Sequence, residues 1–288
     1  EEHGLVMEDR QEYRWILNDS KQIETIEPFE KLLSQKLVEE CMIAANRCAA
    51  RFLRERGASG PFVTHPGIRP DRLDEARKFL SMHAPAVAVS DPTTVSGYRE
   101  IMRCLASDGH ALPLRGMINR LLTRAELSTE PGAHMGMALE AYTNCTSPLR
   151  KYLDFLVHLQ IKALLHGQSA NRVDPQLLAA LSQRQQNTRN ATLEAERWLA
   201  GKYLARLAGS TEGLTFRGRV SHVNSSGFTV RLEDSGLEGF VDLRKDPEKF
   251  SYDKWTASLT STTRRFQLDQ SVELTFLSMD RANQYRAM

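Results

Sequence analysis

One heptapeptide carries more information than any other part of this sequence: Thr146-Ser147-Pro148-Leu149-Arg150-Lys151-Tyr152. It places a hydroxyl pair, a proline and a cation at the predicted start of a helix. Because a helix N-terminus exposes unpaired N–H groups and the positive end of the helix dipole, Thr146, Ser147 and the amides after Pro148 could hold a phosphate. Arg150 would add a bidentate charged donor. By spacing alone, a capped helix with a solvated Arg150-Lys151 pair is the more common interpretation.

Apolar residues recur at helical spacing on both sides of this heptapeptide. The spacing predicts helices over residues 29–56, 71–80, 96–105, 114–123, 148–165 and 175–207. The first of these helices is predicted to bury one face, made of Leu33, Leu37, Met42, Ala45, Ala49 and Phe52.

Strand signals stand at the two ends of the sequence. Near the start, Leu5–Met7 and Tyr13–Leu17 are strand-like. Toward the end, alternating residues in 216–220, 228–232, 237–241 and 272–276 predict a small β-barrel. The sequence therefore predicts the α+β class, with a mostly helical part followed by an all-β barrel. The predicted boundary near residue 210 gives domains 1–210 and 211–288.

The composition excludes several classes of protein. Hydrophobic residues make up 41% of the 288 residues and charged residues 26%, as in an ordinary globular protein. No apolar run reaches the roughly 18 residues of a membrane helix, and the start lacks a signal-peptide pattern. Four cysteines in this length do not form a disulfide scaffold, so we expect a cytoplasmic protein with no membrane partner. A net charge of +2 leaves any nucleic-acid binding to local basic patches.

The predicted barrel contains such a patch. Its members are Phe216, Phe228, His222, Arg217, Arg219 and Arg231. Aromatic side chains beside cations on a small barrel are typical of stacking on single-stranded nucleic acid. Core packing is the alternative for at least one of the two phenylalanines, and the sequence leaves both interpretations open.

A carboxylate cluster, which a two-metal nuclease needs to hold its ions, is missing from the sequence pattern. Adjacent aspartates do not occur, and Asp71, Asp74 and Glu75 resemble the first turn of a solvated helix. The sequence also lacks a Walker-type phosphate loop, a Cys-x-x-Cys pair and a G-x-S-x-G turn. We therefore predict no metal ligand within these residues.

At the heptapeptide, the sequence resembles the ribonuclease II family. The segments that carry the resemblance are 38–50, 128–136 and 146–152, together with Tyr142. The final module resembles an RNA-binding OB fold of the ribosomal protein S-one type, through its Gly-x-Val and Gly-Phe motifs at 218–220, 227–230 and 239–241. The motif around Arg150 is the most specific of these.

The resemblance implies processive 3′-to-5′ hydrolysis of single-stranded RNA to nucleoside 5′-monophosphates. In this family, two magnesium ions are held by aspartates on a segment that would precede this sequence. We therefore expect Mg²⁺ as cofactor, with its ligands on an upstream fragment of the same protein. The sequence would be the C-terminal part of the catalytic domain plus the barrel, inactive alone.

The resemblance also implies roles for single residues. Arg150 would be catalytic and would stabilise negative charge on the phosphate. Glu39 would accept a hydrogen bond from a ribose 2′-hydroxyl, which favours RNA over DNA. The other RNA-binding residues that we expect are Thr146, Ser147, Lys151, Arg219, Phe228 and Arg231.

Two functions stay open at this point. In the first, the sequence is part of a monomeric exoribonuclease that binds single-stranded RNA. In the second, it is a non-catalytic protein that binds single-stranded RNA through the same surface and barrel and has lost the chemistry.

Overall fold

The computed structural model describes residues 11–106, 113–170, 172–210, 215–278 and 284–287. The predicted strand at Leu5–Met7 lies outside these residues. The elements up to residue 128 are β1 (Glu12–Leu17), β2 (Ile23–Phe29), α1 (Leu33–Glu55), β3 (Phe62–Thr64), α2 (Leu73–His83), α3 (Val95–Cys104), α4 (Leu114–Asn119) and β4 (Glu126–Ser128). The later elements are α5 (Tyr152–Leu165), α6 (Pro175–Ser210), β5 (Thr215–Asn224), β6 (Gly227–Leu232), β7 (Glu238–Asp242), β8 (Ser251–Asp253), β9 (Ser258–Thr260), β10 (Arg265–Gln267), β11 (Ser271–Ser278) and β12 (Gln284–Ala287). The α+β class is confirmed.

The helical unit is built around the second half of α1. Ala50 and Leu53 of α1, Phe62 of β3 and Val157 of α5 are each fully buried and belong to one core cluster. The short strands β3 and β4 pair antiparallel beside it, with Val63 opposite Leu127. These contacts fix α1 against α5, the two helices on which the candidate site depends.

The first half of α1 does not follow the predicted burial. Leu33 is 83% exposed, Leu37 64% and Met42 39%, whereas burial on this helix begins at Asn46. The apolar spacing correctly predicts a helix, but spacing reports which residues share a face and not where a partner covers that face. The predicted buried face is therefore wrong for its first four members, since Ala45 is exposed as well.

The start of α5 also differs from the prediction. The helix begins at Tyr152 instead of Pro148. The Arg150 and Lys151 amides both donate to the Ser147 carbonyl, at 3.2 and 3.0 Å, which closes a turn ahead of the helix. The Ser147 amide donates to Asp154, so Ser147 does not cap the helix with its side chain.

The barrel closes from five strands in the order β11-β12-β7-β6-β5. Neighbouring strands of the barrel pair antiparallel, except β12 and β7, which pair parallel. Alternate residues of β6 point inward, and Phe228, Val230 and Leu232 are buried as the period of two requires. The separate three-stranded sheet β10-β9-β8 lies in the chain between β7 and β11.

The chain forms two compact units that do not follow the sequence order. One contains α1 to α5 and the start of α6 as far as Asn187, and the other contains the β1–β2 hairpin, the rest of α6 and the barrel. The hairpin joins the second unit because the Tyr13 hydroxyl donates to the Glu233 carbonyl at 3.1 Å. The change from helix to strand follows Ser210, and the domain boundary near residue 210 stays a prediction.

We expect Leu53→Ala to lower the free energy of unfolding by about 2–5 kcal/mol, because it removes a fully buried side chain from the core. The matched control is Leu37→Ala on the same helix, which should change it by less than about 0.5 kcal/mol. Urea denaturation of both variants measures the difference. Equal losses would mean that the first half of α1 is buried after all.

Candidate nucleic-acid interface

Asn46 anchors the segment that leads to the heptapeptide. Its side chain is 4% exposed, in the interior face of α1. The amide Nδ2 donates to the Tyr142 hydroxyl at 2.9 Å, and Oδ1 accepts from the Cys145 amide at 2.8 Å. One side chain thus satisfies two buried groups of the segment, and it fixes the segment to α1.

Two residues of α5 hold the same segment from the other side. Asp154 is 1% exposed, and its Oδ2 accepts from the Ser147 amide at 2.8 Å. Its Oδ1 has no hydrogen-bond partner among the described residues. His158 Nε2 lies 2.7 Å from the Cys145 carbonyl; because a carbonyl only accepts, Nε2 is the protonated nitrogen. The segment from Tyr142 to Ser147 is therefore fastened to both helices.

Burial keeps two groups of this anchor protonated. Burial raises the pKa of the Tyr142 phenol and also the pKa of the Cys145 thiol. The Cys145 thiol donates to the same Asn46 oxygen, at 3.3 Å. Both groups therefore hold the segment in their neutral forms.

Arg150 stands on the turn that this anchor holds. It is exposed, and its guanidinium forms no hydrogen bond or ion pair with any described residue. Its neighbour Leu149 is fully exposed and Lys151 is exposed as well. A free guanidinium on a fixed turn is pre-positioned for an anion, because little order must be gained when the anion binds.

The structure differs from the phosphate site predicted at Thr146, Ser147 and the amides after Pro148. Thr146 and Ser147 are half-buried. The amides of Arg150 and Lys151 are used by the Ser147 carbonyl, so they do not face a ligand. The amides of the first helical turn begin at Tyr152 instead, one turn later than the sequence pattern predicts.

Glu39 lies on the exposed first half of α1. Its carboxylate is 3.6 Å from the Lys31 ammonium and is 56% exposed. No hydrogen bond or ion pair joins Glu39 to the heptapeptide within the described parts of the chain. The role of Glu39 toward a ribose therefore stays a prediction.

In the barrel, the predicted cations are paired with carboxylates. Arg219 lies 3.3 Å from Glu233 and 3.7 Å from Asp269, and Arg231 lies 2.7 Å from Glu238. All these side chains are more than a third exposed, so the pairs are solvated and weak. Arg219 and Arg231 stay accessible to a phosphate that competes for them.

The position of Phe228 differs from the predicted role in binding RNA. Its side chain is fully buried, and its ring centroid lies 4.7 Å from that of Phe266. A ring in the barrel interior offers no face to a base, so the stacking role predicted for Phe228 is wrong. The position belongs to the inward-facing set of β6, which alternation by itself does not assign to the inside or the outside.

Asn46 and Asp154 were not identified from the sequence as site residues. Asn46 is the polar residue among the buried positions of α1, and Asp154 lies with Gln160 among the mostly apolar buried positions of α5. Such positions are rarely polar unless the side chain has a specific partner. That mismatch with the helical pattern is the signal that could have identified both.

The described residues lack two further features. They contain no group of three or more His, Cys, Asp or Glu side chains placed to hold a metal ion. None of the helices in them combines the length and the apolar character needed to cross a membrane.

Comparison with known proteins relates this geometry to a family. The sequence profile of the RNB domain matches residues 1–167. Exoribonuclease 2 of Cronobacter sakazakii is 35% identical over 240 residues, which are 83% of this chain and 37% of that protein. The chain thus spans about a third of the length of this curated relative.

Solved structures share the fold. RNase R of Mycoplasma genitalium, in complex with ribose-methylated single-stranded RNA, superposes with a TM-score of 0.73 at 18% identity, over 100% of this chain and 47% of that one. Yeast Ssd1, described as a pseudonuclease, gives 0.61 at 19% identity, over 81% and 30%. Because the RNB-domain match extends over more than half of the chain, this chain belongs to the RNB-domain family, the family of ribonuclease II.

Proposed function

We propose that this chain is the part of an exoribonuclease that holds the 3′ end of single-stranded RNA and stabilises charge at the scissile phosphate. The whole enzyme would remove nucleoside 5′-monophosphates processively in the 3′-to-5′ direction. Membership of the RNB-domain family and the similarity to exoribonuclease 2 support a ribonuclease. The observation that carries the proposal is the unpaired, exposed guanidinium of Arg150 on a turn anchored by Asn46 and Asp154.

Arg150 is suited to this role by its charge and its placement. Phosphoryl transfer gains most from fixed positive charge where negative charge develops on the phosphate oxygens. A planar guanidinium can donate two parallel hydrogen bonds to a phosphate. Lys151, Thr146 and Ser147 would contact the same terminal nucleotide, and Glu39 would accept from a ribose 2′-hydroxyl.

Magnesium is the cofactor expected for such an enzyme. The described residues do not fit a two-metal site, since they contain no suitable cluster of carboxylates. We therefore place the metal ligands on an upstream fragment of the same protein. The exposed Leu33, Leu37 and Val38 of α1 support a further protein segment against this helix, because apolar side chains at this density are normally covered.

The barrel would bind the RNA strand ahead of the catalytic domain, with the boundary near residue 210. Five strands with one parallel pairing, β12 with β7, support an OB fold of the S-one type. Such barrels bind single strands on a charged outer face. Arg219 and Arg231 lie on β5 and β6 and would supply that charge. A cytoplasmic monomer is the state expected for the whole protein.

A non-catalytic RNA-binding protein is the second candidate. The structural similarity to yeast Ssd1 supports this candidate, because Ssd1 has the same fold and is described as a pseudonuclease. Its surface and barrel would bind RNA as described above, without hydrolysis.

The first test is a nuclease assay on this chain with 5′-labelled single-stranded RNA and Mg²⁺, and with a chelator control. We expect a gel shift without cleavage, and 3′-end shortening once the upstream half of the catalytic domain is added. Metal-dependent laddering by this chain, at the correct intact mass, would contradict the placement of the metal ligands. Absence of both binding and restored cleavage would contradict the proposed function, and binding without restored cleavage would favour the second candidate.

In the complete catalytic domain, we expect Arg150→Ala to lower kcat by about 100- to 1,000-fold, because charge on the phosphate loses its fixed donor. RNA affinity should change little, since many other contacts hold the strand. Single-turnover kinetics and fluorescence anisotropy measure the two quantities. The exposed Arg172→Ala serves as the control. Equal losses of affinity and turnover would contradict a charge-stabilising role.

For the barrel, we expect the double variant Arg219→Gln/Arg231→Gln to bind single-stranded RNA about tenfold more weakly. The slope of log Kd against log salt should fall by about 2, because two phosphate contacts are lost. Arg244→Gln is the matched control, as Arg244 is also exposed and paired with a carboxylate, Asp242. An unchanged salt slope in the double variant would remove these two arginines from the interface.

A further inference from the structure

A cavity lies between α1, α3 and the turn that follows Met137. Its volume is about 350 Å³, within the range of small-molecule sites, which begins near roughly 300 Å³. Its lining residues are Ala44, Arg47, Cys48, Arg51, Arg54, Arg99, Ala138, Leu139, Glu140 and Ala141. Four arginines and one glutamate therefore surround a single cavity, which we call the arginine cavity.

Three of these arginines repel one another along α1. Arg47 and Arg51 are four residues apart, and Arg51 and Arg54 are three apart, so their side chains are neighbours on one helix face. Like charges at this spacing destabilise a helix. Arg51 lies 3.9 Å from the carboxylate of Glu55. Glu140 also lines the cavity, but it forms no ion pair with any described residue. The guanidinium groups of Arg47 and Arg54 have no hydrogen bond or ion pair with the described residues.

Arg99 reaches the cavity from α3 and carries an unused donor. Its Nη2 donates to the Ala138 carbonyl at 2.8 Å, which fixes the side chain against the turn. Its Nε is buried and has no hydrogen-bond partner among the described residues. The bond to Ala138 therefore holds the Arg99 guanidinium in place at the wall of the cavity, beside the arginines of α1.

We propose that the arginine cavity binds a phosphate group carried by a nucleotide, at a site separate from Arg150. Guanidinium groups bind phosphate oxygens bidentately, and an anion among them removes their mutual repulsion. The small apolar side chains of Ala44, Leu139 and Ala141 leave room for the sugar or base. The choice of a nucleotide as the carrier rests on the proposed function; the affinity for phosphate itself does not.

Isothermal titration calorimetry of this chain, with a chelator present, tests the proposal with three probes: inorganic phosphate, adenosine 5′-monophosphate and a five-nucleotide single-stranded RNA. We expect the double variant Arg51→Gln/Arg54→Gln to weaken phosphate or nucleotide binding about 100-fold, about tenfold for each charged hydrogen bond lost. Arg77→Gln, an exposed arginine of α2 outside the cavity, is the control and should bind as the wild type does. Binding that survives in the double variant, or no binding of any probe, overturns the proposal.

Cysteine alkylation gives a second readout on the unaltered chain. Cys48 lines the arginine cavity and is exposed, whereas Cys41 is exposed on the same helix outside the lining. Trypsin separates the two cysteines by cleaving after Arg47. A bound probe should slow iodoacetamide labelling of Cys48 severalfold and leave that of Cys41 unchanged. Equal labelling of Cys48 with and without every probe, at saturating concentration, overturns the proposal even if the arginine variants fail to fold.

The probes also separate the sources of the phosphate. Protection of Cys48 by the mononucleotide alone identifies a free nucleotide, and protection by the pentanucleotide alone identifies a strand of RNA. The variant Arg150→Gln should keep the protection of Cys48, because Arg150 lies outside the cavity lining. Failure of the nuclease assay with intact protection would overturn the proposed function and leave the arginine cavity in place.

Discussion

The double hydrogen bond of Asn46 is the interaction on which the candidate site depends. Its amide donates to Tyr142 and accepts from the backbone of Cys145, residues that are 96 and 99 positions away in the sequence. Asn suits this position because one short side chain offers both a donor and an acceptor. An aspartate would lack the donor, and an aliphatic side chain would leave two buried polar groups unpaired at a cost of about 1–3 kcal/mol each. The buried face of α1 is thus polar at one place, and that place holds the segment that leads to the candidate site.

Further hydrogen bonds connect this buried anchor to the exposed turn that carries Arg150. The carboxyl of Asp154 holds the Ser147 amide, and the Ser147 carbonyl in turn closes the turn that carries Arg150. Each link bonds a backbone group of Ser147, so the path of the chain is fixed there even though Arg150 is solvent-exposed. Buried side chains fix the path of the chain through their hydrogen bonds, and the exposed cation remains available to an anion. A cation on a mobile loop would lose more entropy on binding.

The arginines that we propose as phosphate ligands occupy three electrostatic settings. Those of the barrel share their charge with exposed carboxylates, so a phosphate must compete with Glu233, Asp269 or Glu238. Arg150 has no such competitor among the described residues. Those of the arginine cavity are crowded and share few carboxylates, which raises the local positive potential. The near-neutral total charge hides all three settings, because it sums over cations that are paired and cations that are not.

Local sequence patterns determined much of this protein. The period of the apolar residues predicted α1 to α6 and the alternating barrel strands, because helix and strand periodicity are properties of neighbouring residues. The motif around Arg150 indicated the resemblance to the ribonuclease II family. Tertiary structure decided where α1 is covered, that α5 begins at Tyr152, and that Phe228 points into the barrel. It also decided that Asn46 meets Cys145 and that Arg99 joins the arginines of α1, since these contacts join residues far apart in the chain, and no local pattern encodes their distance.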